Sequence, residues 1–219
     1  VVVQRNNIII DGNGHTLKGP GDENGLYLHS ISNVTVRRIR IQDFGVDGIS
    51  LYRTYNDMIS ENTIERNGRQ GICLTSSLNN TIVGNVITAN DRYGISLQFV
   101  NGSIISGNNI ANNYYGMYFD ESHCNTIIGN VIAASKYYGI HIYLSSGNCI
   151  VANTIATNDD HGIYLRRCTG TNISKNSITG NKINGVDVYN SSSNTIIRNN
   201  LTKNKDDGIS FYNSFNNKI

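Results

Sequence analysis

The feature that most restricts how this chain can fold is a Gly-apolar-x-apolar tetrad that returns at a fixed interval. It begins at Gly25 (Gly25-Leu26-Tyr27-Leu28) and recurs at Gly48, Gly71, Gly94, Gly116, Gly139, Gly162, Gly185 and Gly208. The step is 23 residues each time, except for the 22 between Gly94 and Gly116. A second apolar position runs in phase from Val36 and Ile59 to Ile196 and Ile219, and a third from Ile41 and Ile64 to Leu201. Between them lies a file of Asn62, Asn85, Asn108, Asn130, Asn153, Asn176 and Asn199, with Ile39 in its place in the first coil. Another file holds Asn67, Asn90, Asn113, Asn158, Asn181 and Asn204, interrupted by Ser135.

Each unit therefore carries three short stretches that alternate with period two, separated by Asn, Gly or Ser. Alternation of this kind is the strand signal, and the stretches are too short for helices. Leucine-rich repeats need a Leu-x-x-Leu-x-Leu signature that is missing. Left-handed β-helices need a six-residue period, into which 23 does not divide. The pattern predicts an all-β fold: a right-handed parallel β-helix (solenoid) of about nine coils of 23 residues, three strands per coil. Coils about 4.8 Å apart would pile like residues into files. A buried Asn at each turn would then satisfy backbone groups above and below it, so these Asn read as structural rather than catalytic. Residues 1–219 read as a single β-helix domain, with 1–24 an irregular first coil and the C-terminus cut mid-coil. A solenoid needs polar caps, so missing flanking sequence or end-to-end contacts are expected. The opening Val1-Val2-Val3 carries no signal-peptide pattern, which reads as a mature form or an excised fragment.

Composition narrows the function classes. Net charge is +2 and charged residues make up 16%, which argues against a nucleic-acid partner. No apolar run is long enough for a membrane span. Cys73, Cys124, Cys149 and Cys168 match no zinc spacing, and Cys73, Cys124 and Cys149 read as surface or turn thiols. Six Asn-x-Ser/Thr sequons, from Asn33 to Asn200, read as chance products of Asn- and Ser/Thr-rich turns. Asp47 and Asp206-Asp207, just before their glycines, read as turn formers.

Alternation also names the outward positions. In Gly-apolar-x-apolar-z, x and z should face solvent. Down the coils these are Tyr27/His29, Ser50/Tyr52, Cys73/Thr75, Ser96/Gln98, Tyr118/Asp120, His141/Tyr143, Tyr164/Arg166, Asp187/Tyr189 and Ser210/Tyr212. From coil five to coil eight this face becomes a grid of Tyr, His, Asp and Arg. The adjoining turns add Tyr114, Tyr115, Tyr137, Tyr138, Asp160 and His161, with Glu121 and Arg167 one residue beyond the strands.

The strings Ile8 to Gly19 (IIIDGNGHTLKG) and Ser32 to Leu51, followed by recurring GI.L..SS.NTI..N.I..N, resemble the NosD-like right-handed β-helix proteins, whose architecture pectate-lyase-like proteins share. The likeness covers essentially the whole chain. It implies an exported protein: extracellular, cell-surface or periplasmic. Relatives by architecture include carbohydrate-binding modules, polysaccharide lyases and mannuronan C5-epimerases, while the name-giving members assist copper-site assembly. The departures are informative. The epimerase Asp-Pro-His-Asp/Glu motif is absent, its nearest counterpart being Asp159-Asp160-His161. The polygalacturonase-type motifs are missing too, and two Met with scattered His give copper little to bind.

Tyrosine offers a flat apolar ring with a hydroxyl at low entropic cost, which suits sugar rings. The leading expectation is polysaccharide or glycan binding through Tyr115, Tyr118, Asp120, Tyr138, Asp160, His161, Arg167, Asp187 and Tyr189. The alternative is a uronate lyase or C5-epimerase. There His141 would be the base, Tyr143 or Tyr164 the acid, and Arg166 the carboxylate clamp. A glycoside hydrolase finds Asp120 and Asp187 three coils apart, too far for a carboxylate pair, which leaves Asp160 with Asp187. A third alternative is a structural or adhesin repeat. No cofactor is expected; calcium at Asp120/Glu121 has no ligand pattern behind it.

Overall fold

Strands of three or four residues have no stability alone, so each depends on its equivalents one coil above and below. The computed structural model, which describes residues 1–19 and 21–219, pairs them in that way. The first sheet holds ten parallel strands, from Val2–Val3 to Ile209–Tyr212. The second holds nine, from Ile9–Asp11 to Thr195–Ile197, and the third nine, from Thr16–Lys18 to Asn200–Thr202. The result is a right-handed parallel β-helix. Leu28, Leu51, Leu74 and Leu97 sit in register one over the next, each at 0% exposure, so the textual period is a column in space.

The glycine of each tetrad is required by close approach. A Cβ on Gly71 would lie 2.5 Å from Ile87 Cγ2 and 2.7 Å from the Gly94 carbonyl oxygen. The coils turn at residues with positive φ, which include Arg38, Asp43, Arg66, Glu121 and Arg167 as well as Asn. Beside these corners lie the polar files. Asn108 Oδ1 accepts from the Asn85 backbone N–H at 2.9 Å and from Asn85 Nδ2 at 3.0 Å. Its own Nδ2 donates to Ile82 O at 3.0 Å and to Asn130 Oδ1 at 2.9 Å.

Two further interior files connect the first sheet to the second. One runs Thr54, Ser77, Val100, Ser122, Ser145, Cys168 and Ser191; the other runs Asp57, Asn80, Ser103, Asn125, Asn148, Thr171 and Asn194. Cys168 Sγ takes the place of a serine hydroxyl and lies 3.2 Å from Ile142 O. All four cysteines are free thiols.

Two outward assignments are corrected by the structure. Cys73 and Ser96 are buried, at 8% and 0% exposure, although strand alternation turns them outward. Asp47, in the turn before Gly48, is buried as well: its carboxylate accepts the Gln70 N–H at 3.2 Å, and burial raises its pKa to about 6. The missing residue before Gly116 does shorten a turn, and the strands Tyr93–Gln98 and Tyr115–Asp120 lengthen to six residues there.

Candidate functional site

Parallel register fixes the outward files of the first sheet. Tyr118, His141, Tyr164 and Asp187 form the inner file, and Asp120, Tyr143, Arg166, Tyr189 and Tyr212 the outer one. A third file, at the residue before each glycine, holds Tyr93, Tyr115, Tyr138 and His161. Side chains one coil apart are close enough for rings to stack, and an aromatic sheet results.

His141 lies at its centre, with ring centroids of Tyr118, Tyr138 and Tyr164 at 5.2, 5.1 and 5.0 Å. Burial, reinforced by the positive charge of Arg166, lowers its pKa to about 4. The imidazole is therefore neutral at physiological pH, and its Nε2 is closed off with no hydrogen-bond partner. A substrate proton reaches that nitrogen only if the tyrosine rings move. Burial likewise pushes the Tyr118 hydroxyl up to about 12 and raises those of Tyr115, Tyr138 and Tyr164, so all four are neutral hydrogen-bonding groups.

The structure brings Asp160, His161 and Asp187 together. His161 Nδ1 accepts the Asn184 backbone N–H at 3.1 Å, which places the proton of the neutral ring on Nε2. Nε2 lies 3.2 Å from Asp187 Oδ2 and 3.5 Å from Asp160 Oδ1. The ring is parallel to Tyr138 (centroids 5.7 Å apart, 2° between planes) and contacts Tyr164 at 5.7 Å. Burial raises the Asp187 pKa, against the lowering influence of His161.

The outer file is more open. The Arg166 guanidinium sits over Tyr143 at 5.5 Å and over Tyr189 at 5.9 Å, and Tyr189 stacks on Tyr212 at 5.2 Å. Arg167 Nη1 approaches the Tyr143 hydroxyl at 3.4 Å. Asp120 stands apart from the Asp160–Asp187 cluster; burial and the neighbouring Glu121 raise its pKa. Among the described residues no group of three or more His, Cys, Asp or Glu is placed to hold a metal ion, the Asp120/Glu121 pair included.

Sequence reasoning missed Tyr93. It stacks on Tyr118 (4.9 Å, 17°) and meets Tyr115 at 5.3 Å, extending the aromatic sheet into coil four. Following the file before each glycine, rather than only x and z, would have found it.

A chain of stacked coils with a decorated first sheet defines a class, the parallel β-helix proteins with a lateral face. Within that class the chain belongs to the NosD family, described as "Periplasmic copper-binding protein (NosD)", whose model matches residues 3–159 and 134–219. No curated protein sequence matches the chain. Among solved structures, the T265N mutant of the periplasmic alginate epimerase AlgG has a TM-score of 0.74 at 17% identity, covering 88% of this chain and 61% of that one. The protein titled Geobacillus virus E2 - ORF18 gives 0.82 at 12%, covering 99% and 50%. The A-module of the Azotobacter vinelandii mannuronan C-5 epimerase AlgE4 gives 0.63 at 16%, covering 91% and 76%. At these identities the likeness establishes the fold alone. The chain spans about half to three-fifths of the AlgG chains it matches.

The family description raises copper, but the donors do not fit it. Met117 is buried in the core, Met58 is exposed on another sheet, and burial pushes the Cys73 and Cys168 thiols up to about 12 and 11.

Proposed function

We propose that this chain is an exported β-helix that binds polysaccharide along the aromatic face of coils five to eight. The observation that carries the reading is the unbroken ring contact from Tyr93 through Tyr118, His141 and Tyr164, with centroids 4.9 to 5.2 Å apart. Nothing in the fold requires it. In coils four to seven the other two sheets and the corner between them (residues 81–90, 104–113, 126–135 and 149–158) carry no charged residue and no aromatic ring. At these levels charge and aromaticity are concentrated on the side of the first sheet. Tyrosine planes receive the apolar faces of sugar rings, while Arg166, Arg167, Asp160 and Asp187 supply polar groups for their rims. The family's periplasmic description and the polysaccharide-acting proteins among the structural neighbours support the same reading.

The test is affinity electrophoresis through gels containing neutral and acidic polysaccharides. Tyr164→Ala and Arg166→Ala should each weaken retardation at least about tenfold, whereas Thr154→Ala on the third sheet should leave it unchanged. Retardation unaffected in both face variants would remove this surface from consideration.

A second reading is a uronate lyase or C5-epimerase, favoured by the Asp160–His161–Asp187 cluster beside Tyr138 and Tyr164. In it, Tyr164 or Tyr143 is the acid, Arg166 holds the carboxylate, and the proton acceptor is His141 once the rings around its Nε2 move. Incubation with alginate or pectate would then yield an unsaturated product or a changed epimer ratio.

A further inference from the structure

The coil with one residue too few points to a more specific site. Between the inward Asn or Ser and the tetrad glycine, its neighbours place three residues: Asp91-Arg92-Tyr93 below, Lys136-Tyr137-Tyr138 above. Coil five has only Tyr114-Tyr115. Tyr115 is drawn into strand register with Tyr93, its N–H donating to Arg92 O at 2.9 Å. A recess of about 300 Å³ opens there, lined by Asp91, Arg92, Tyr93, Tyr114 and Tyr115.

We infer that this recess is a subsite for one uncharged pyranose residue of the bound glycan, an assignment that rests on the polysaccharide reading above. Its volume is at the low end for small-molecule sites, which suits one ring rather than several. Tyr114 and Tyr115 form an aromatic wall, with centroids 5.3 Å apart, and Tyr137 backs it at 4.9 Å from Tyr114. The Arg92 guanidinium is held 5.6 Å over the Tyr93 ring. Among the described residues, neither Asp91 nor Arg92 is in an ion pair. A carboxylate and a guanidinium on one rim cancel in charge, but together they accept from and donate to sugar hydroxyls. A uronate would gain Arg92 and be repelled by Asp91, whereas a neutral ring uses both. The recess would also fix the register of the glycan, because the two-residue turn occurs in this coil and not in the coils directly above and below it.

Restoring the missing residue should abolish the subsite without touching its lining. Insertion of one glycine after Asn113 returns coil five to 23 residues. Calorimetric titration would use cellohexaose, xylohexaose and mannohexaose against hexamers of mannuronate and galacturonate. The parent should bind at least one neutral hexamer more tightly than either acidic one. The insertion should weaken that binding at least about tenfold, with circular dichroism unchanged. The double variant Asp91→Ala/Arg92→Ala should do the same, and it decides the matter if the insertion does not fold. Parent-like affinity in the folded insertion variant, or in the double variant, overturns the subsite and leaves the face intact. So does a preference of the parent for uronate hexamers. A parent that binds no oligosaccharide or polysaccharide at all overturns the polysaccharide reading, and the subsite with it.

Discussion

Replacing Asp57 by Asn should stabilise this protein. Asp57 occupies a position that Asn80, Asn125, Asn148 and Asn194 fill in other coils, and it is 1% exposed. Its Oδ1 accepts the Val34 N–H at 2.8 Å, as the file requires. The other atom is wrong. Asn125 and Asn148 use Nδ2 to donate to Val100 O and Ser122 O, each at 2.9 Å, in the coil below. Asp57 Oδ2 has no partner, and by the same register it faces Ile31 O, one acceptor towards another. Burial raises the Asp57 pKa. An unsatisfied buried polar group costs about 1–3 kcal/mol, and Asp57→Asn converts it into a donor in a prepared position. For a chain of this length about 2 kcal/mol corresponds to about 4–8 °C in Tm.

The pH dependence gives a second check. The folded pKa is above the unfolded value of about 3.9, so the folded state holds the proton longer. The contribution of Asp57 is complete below the unfolded value and is lost as pH rises through the folded one. The advantage of Asp57→Asn should therefore grow from pH 4 upward and then level off. Asp47 titrates in both proteins and cancels in the difference. Scanning calorimetry of the pair at pH 4, 6 and 8 measures this. A variant no more stable than its parent at pH 8, or an advantage that shrinks as pH rises, would refute the reasoning.

Two further expectations concern the interior. Asn108→Leu leaves the buried Asn85 N–H without its acceptor and removes the side-chain donor to Ile82 O, and should cost about 1–3 kcal/mol in denaturant unfolding, despite the apolar gain. Thiol titration of the native protein at pH 8 should label Cys124 quickly and leave Cys73 and Cys168 unreacted until denaturant is added, because burial holds both thiols protonated and out of reach.

The fold was legible because stacking turns a one-dimensional period into a two-dimensional lattice. The Asn62-to-Asn199 file is uniform in letter as well as in place, so it could be seen before the coils were. The Thr54 and Asp57 files escaped notice because they mix Thr, Ser, Cys, Asp and Asn, residues alike in hydrogen bonding but not in spelling. The face was readable in membership and not in coverage. Alternation says which way a side chain points, and neighbours 4.8 Å away decide whether water reaches it. That is why His141 belongs to an outward position and is yet enclosed, between Tyr118 and Tyr164. The contact of His161 with both Asp160 and Asp187 needed a turn conformation that periodicity does not encode.

The Asn67-to-Asn204 file has one gap. Asn90 bonds to Asn113, and Ser135 to Asn158, but between Asn113 and Ser135 no side-chain link bridges the coils, and Ser135 Oγ is unpartnered. The Asn62 file passes the same level without interruption. Of these two files one is continuous and the other is open by one stitch, beside the shortened turn. At that level of the file the two coils are joined by backbone alone, through the Lys136 N–H and Asn113 O, and a ligand lodged across the turns would act as a splint.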